Sequence, residues 1–157
     1  MDSNFKILSH VGAGRLRFGV TRKQVEEVLG PPDKTRSTTF FNETFEFRRE
    51  NALQTVYSAE GALVEISFGR AVAGVTFDDL DVFKAPGRDV IERLMKADGS
   101  PFEIVGIIVS LNLGISMTGF LQDDEPGQKA IGVFAKGRFD AKMEKMRPFK
   151  LKKNRSQ

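Results

Sequence analysis

Apolar and polar positions alternate along this chain with two distinct periods. Over residues 18–33, FGVTRKQVEEVLGPPD, Val25, Val28 and Leu29 recur at helical spacing with Glu26 and Glu27 between them, which predicts an amphipathic helix of about two to three turns. Thr21 with Gln24 three residues on is a capping box. Gly30 can take the left-handed stop and Pro31-Pro32 forbid continuation. After a polar loop, period-two alternation takes over: Phe45 and Phe47 alternate with Glu46 and Arg48, residues 53–58 follow, and after the Glu60-Gly61 turn Val64, Ile66 and Phe68 alternate with Glu65 and Ser67. This predicts a meander of three antiparallel strands, each with one buried face.

From Val75 the layout begins again. Phe83, Val90 and Leu94 stand 65 residues after Phe18, Val25 and Leu29. Pro86 suits a first helical position, Val90, Ile91, Leu94 and Met95 form the apolar stripe, and Gly99 and Pro101 stop it. Strands are expected over 102–110, 113–121 and 130–135. The expected fold class is therefore α+β, with two tandem helix-plus-antiparallel-meander modules over 16–70 and 75–137. Residues 1–15 read as a lead with one short strand, Phe5–Leu8, and 69–74 as a connector. Gly12-Ala13-Gly14 is a turn rather than a dinucleotide loop, since Arg17 stands where the third glycine would.

Composition narrows the chemistry. The 157 residues contain no cysteine and one histidine, His10, so disulfides, thiolate metal sites and multi-histidine metal sites are excluded within one chain. The opening residues hold no apolar core of signal-peptide length, and no stretch approaches a membrane span; the expected location is the cytoplasm, with no membrane partner. The net charge of +3 is uneven: seven of the 24 basic residues but one of the 21 acidic ones fall in 141–157. The body is mildly acidic, and 141–157 reads as a basic tail, broken at Pro148, with at most nonspecific affinity for nucleic acid.

The stretch FGVTRKQVEEVLGPPD, followed by FEFRRENALQTVYSAEGALVEISF, resembles the helix-and-meander module of the outer-membrane assembly lipoprotein family, matched at Gly19, Thr21, Val25, Leu29, Gly30, Pro32, Phe47, Val56, Tyr57, Gly61 and Ile66. Two such modules in tandem are similar to the β-lactamase inhibitory protein architecture. That resemblance implies one continuous curved sheet with helices on one face and the opposite, concave face offered to a protein partner. The family's lipidated cysteine and the inhibitor's disulfides have no counterpart here, and a cytoplasmic version is similar to an immunity protein that neutralises an antibacterial toxin.

With helices over the apolar face, the outward residues of the first meander are Glu46, Arg48, Thr55, Tyr57, Glu65 and Ser67. Of these Glu46, Arg48, Tyr57 and Glu65 are candidate partner contacts, Tyr57 as a rigid anchor with a hydroxyl. Asp123, Asp124 and Glu125, at the tip of a 122–128 hairpin, are candidates for steering a basic partner. Asp78, Asp79 and Asp81 form a second acidic knot, explained by turn and helix-start chemistry; neither knot has the ligand ladder of a calcium loop. His10 lacks the partners of a triad and no serine sits in a nucleophile elbow. Thus no catalytic residue, metal or cofactor is expected. The leading expectation is a non-enzymatic inhibitor of a cognate toxin, for instance a basic nuclease. The alternatives are an envelope assembly module and a nucleic-acid-associated protein using the tail.

Overall fold

The computed structural model describes residues 4–39, 42–121 and 129–151. These residues are mostly β, with fourteen strands in two sheets and two α-helices. The strands are β1 (Phe5–Leu8), β2 (Gly12–Ala13), β3 (Leu16–Arg17), β4 (Lys34–Ser37), β5 (Thr44–Arg48), β6 (Leu53–Tyr57), β7 (Leu63–Gly69), β8 (Val75–Phe77), β9 (Leu80–Asp81), β10 (Phe102–Ile104), β11 (Ile107–Ser110), β12 (Ile115–Thr118), β13 (Ala130–Phe134) and β14 (Arg147–Pro148). The helices are α1 (Arg22–Leu29) and α2 (Gly87–Asp98). Both form as their sequences dictate. Thr21 and Gln24 complete the capping box of α1, and Gly30 and Gly99 end the helices at φ of 82° and 91°.

The larger sheet has nine strands in the order β14-β10-β11-β12-β13-β7-β6-β5-β4, antiparallel throughout. The smaller has the order β3-β2-β1-β8-β9, and within it β1 and β8 run parallel, Phe5 opposite Val75. This second sheet overturns the expected helix-plus-meander class. The segments preceding the two helices are not lead and connector alone; they pair with each other across 70 residues. The physical reason is area: α1 and α2 bury only Val25 and Leu29, and Gly87, Val90, Ile91 and Leu94, which is too little apolar surface to cover nine strands. Phe5, Ile7, Ala13, Leu16, Val75 and Phe77 join the helices' residues in one core against the large sheet, and the rings of Phe5 and Phe68 lie 5.0 Å apart.

Register defines the two faces of the large sheet. Ile115, Val133, Ile66, Thr55 and Glu46 lie side by side in one row, and Ile108, Met117, Ile131, Phe68, Leu53 and Arg48 in the next; these rows form the inner face, over the core. Val109, Ser116, Gly132, Ser67, Gln54 and Phe47 form a row on the outer face.

The segment expected as a basic tail does not begin as one. Leaving β13, the chain crosses the outer face as a strap with a 3-10 turn over Asp140–Lys145, and pairs as β14 with the free edge of β10. Pro148 is tolerated there because an edge strand has one side without ladder bonds to make. Phe149, just beyond, is buried in the core. The opposite edge, β4, is exposed along its length and carries Lys34 and Arg36, charges that discourage edge-to-edge pairing.

Candidate functional site

Strand β5 lies against its sequence pattern. Glu46 and Arg48 were expected outward with Thr55 and Tyr57, yet they are 3% and 4% exposed and face inward, as do the fully buried Thr55 and Tyr57. Glu65 and Ser67 do face outward, opposite Phe134 and Gly132. Alternation alone cannot distinguish the two phases of β5, because a one-residue slip exchanges its faces. What fixes the phase is a hydrogen-bonded network that no single-strand pattern reveals.

Glu46 Oε1 accepts from the Tyr57 hydroxyl at 2.6 Å and from Arg48 Nη1 at 3.2 Å, and its Oε2 accepts from Arg22 Nε at 3.0 Å. Arg48 Nε donates to the Gly30 carbonyl at 3.0 Å and Nη1 to Thr55 Oγ1 at 3.2 Å. Arg48 thereby ties the end of α1 to the sheet. Burial, then the hydrogen bond to Glu46, push the Tyr57 phenol well above its usual pKa. A carboxylate so occupied is held for structure, since each of its oxygens is already committed.

The outward half of the inversion is Phe45 and Phe47, half-buried on the outer face. Lys34 Nζ stands 5.2 Å over the Phe47 ring and the Arg36 guanidinium 5.6 Å over that of Phe45. The result is an aromatic and cationic ladder across β4 and β5.

At the other end of the same face the strap encloses a trough of about 320 Å³. Ile104, Ile107, Val109, Phe139 and Met146 supply its apolar lining, and Ser67, Ser116, Thr118, Glu65 and Lys142 its polar groups. Two contacts pin the strap. The Phe139 ring meets Phe134 edge-on at 4.5 Å, and Arg138 donates to Glu65 Oε1 and to Glu43 Oε2, both at 2.6 Å. Burial alone would lower the pKa of Arg138, but hydrogen bonds and charge from Glu43 and Glu65 outweigh it and raise the value. Beside the trough, Val105 and Gly106 form the two-residue turn between β10 and β11 at φ of 49° and 79°. Valine at positive φ is sterically unfavourable, and Val105 is 93% exposed.

The other sequence candidates have local explanations or fall elsewhere. Asp78 and Asp79 form the two-residue turn between β8 and β9 at φ of 50° and 67°, and Asp81 Oδ1 accepts from the backbone of Phe83 and Lys84. Asp123, Asp124 and Glu125 lie outside the described residues. His10 Nε2 is 2.8 Å from the Asn112 carbonyl; a carbonyl only accepts, so Nε2 carries the hydrogen. Its Nδ1 is buried against Gly114, where an added Cβ would approach to 3.1 Å, which makes His10 a packing residue. Among the described residues no group of three or more His, Cys, Asp or Glu could hold a metal ion, and no helix is long and apolar enough to cross a membrane.

Sequence reasoning missed the trough because it read 102–110 as one strand. The signal was the Val105-Gly106 pair, where a glycine interrupts an apolar run and marks a turn. Set against known proteins, the chain matches no family model, no curated protein and no solved structure.

Proposed function

We propose that this chain is a non-enzymatic binding protein that docks a partner protein on the outer face of its large sheet, acting as an immunity-type inhibitor that masks a toxin's active surface. One observation carries the reading: β5 buries Glu46 and Arg48 and turns Phe45 and Phe47 outward. Folding alone favours the opposite, because burying ions costs more than burying phenyl rings. Outward aromatics beside Lys34 and Arg36 have the composition enriched where interfaces concentrate their energy. The ladder's positive charge suits an acidic docking surface, rather than the basic one that Asp123, Asp124 and Glu125 suggested.

Co-expression with the product of the adjacent upstream reading frame tests this. The wild-type chain is expected to rescue growth, and Phe45→Asp/Phe47→Asp to lower the melting temperature by a few degrees, remain folded by circular dichroism at the growth temperature, and yet fail to rescue. An upstream product that is harmless, or equally lethal beside the wild-type chain, ends the inhibitor reading.

A further inference from the structure

The trough under the strap lies on the β10–β13 half of the outer face, away from the aromatic ladder. We propose that it is a binding site for an anionic amphiphile, an aliphatic carboxylate of medium chain length.

Three properties select that class. The walls are aliphatic: Ile104, Ile107 and Met146 are half-buried, so each keeps apolar surface for an occupant. The volume of about 320 Å³ falls at the lower end of small-molecule pockets, which run from roughly 300 to 1,000 Å³. The charge at the rim is positive. Of the two charged residues that line the trough, Glu65 is already engaged by Arg138 at 2.6 Å, whereas Lys142 is exposed with its Nζ 5.5 Å over the Phe139 ring. A carboxylate head would meet Lys142 while its chain runs along Ile104 and Ile107.

Gly132 stands between Ser116 and Ser67 in the middle of β13. Its backbone lies outside the left-handed region, so conformation does not require glycine there, but a Cβ would come within 2.6 Å of Ser116 Oγ. The group that approaches the glycine closely is the chain's own Ser116, whose side chain is thereby held against β13 beside the trough.

The test titrates hexanoate, octanoate and decanoate, below their aggregation limits, into the full chain by calorimetry, with methyl NMR to locate them. Affinity is expected to rise about fourfold per methylene, the equivalent of ~0.8 kcal/mol, until the trough is filled. Shifts are expected at Ile104, Ile107 and Thr118. Lys142→Gln should weaken octanoate on the order of two- to fivefold, as for an exposed ion pair, and leave octanol unaffected. Ile107→Asp should abolish binding. Thr118→Trp, which fills the trough from an exposed position, guards against misfolding of the first variant. Absence of binding, shifts confined to other methyls, or undiminished affinity in Thr118→Trp would each overturn the proposal. The aromatic ladder plays no part in these readouts, so its failure and this one are separable.

Discussion

Replacing one member of the Glu46–Arg48 pair should be far worse than replacing both. Each side chain is 4% exposed, and Arg48 Nη2 lies 3.2 Å from Glu46 Oε1. Arg48→Met strips the carboxylate of its buried counter-charge and leaves the Gly30 carbonyl without its donor. Glu46→Leu leaves a guanidinium facing only Thr55 and Gly30. Glu46→Leu is expected to cost about 3–5 kcal/mol, the usual penalty for an uncompensated buried charge, and Arg48→Met toward the lower end of that range, because Arg22 still pairs with Glu46 at 3.0 Å. The double variant removes both charges and keeps the 3.0 Å Thr55–Tyr57 hydrogen bond; its remaining cost is the unsatisfied Gly30 carbonyl and part of the Tyr57 hydroxyl, about 1–3 kcal/mol. In a chain of this size each kcal/mol shifts the melting temperature by roughly 2–4 °C, so the singles should melt roughly 6–20 °C lower. Urea unfolding at pH 7, followed by circular dichroism, gives the four free energies of the cycle. A double-variant loss equal to the sum of the two single losses, within about 0.5 kcal/mol, would show that the pair is not coupled and that the inward phase of β5 is wrong.

Two further outcomes follow from groups described above. Tyr57 is the only tyrosine and there is no tryptophan, so its ionisation can be read in absorbance near 295 nm without interference. Because the fold raises its pKa, the native state holds the proton more tightly than the unfolded one. This contribution is complete below about pH 10 and is lost as pH rises beyond it, at up to ~1.36 kcal/mol per pH unit; Tyr57→Phe should flatten that part of the alkaline stability curve, and tyrosinate absorbance that appears before unfolding would contradict the burial. Val105→Asn places Asn-Gly in a turn with positive φ at both central residues, the preferred pair there, and should stabilise the chain by about 1 kcal/mol through relief of left-handed strain; an unchanged or lower urea midpoint would show that the valine carries no such strain.

Local chemistry was readable from sequence wherever a motif has a single solution. The Thr21–Gln24 box, the Gly30 and Gly99 stops and the Glu60-Gly61 turn each depend on a few neighbouring residues. The strands at Phe5–Leu8 and Leu53–Tyr57 were also legible from their apolar content. Pairing between distant segments was not. Nothing near Phe5 states that its neighbour is Val75, and nothing in KTRS, exposed along its length, announces β4. The inversion of β5 has the same origin. Glu46 is drawn inward by Arg48 on its own strand, by Tyr57, which becomes a neighbour only when β6 pairs with β5, and by Arg22, which arrives only when α1 docks. The strap was hidden in a different way, because its basic composition masks the two residues that anchor it, Phe139 and Phe149.

The parallel contact between β1 and β8 sets a schedule for synthesis. A ribosome extrudes Phe5 before Val75, its neighbour emerging 70 residues later, so one edge of β1 must wait unpaired over that interval while the other is met early by β2. Fragments cut near residue 70 would each hold half of the small sheet. Mixing two such pieces offers a route to reconstituting the protein from parts.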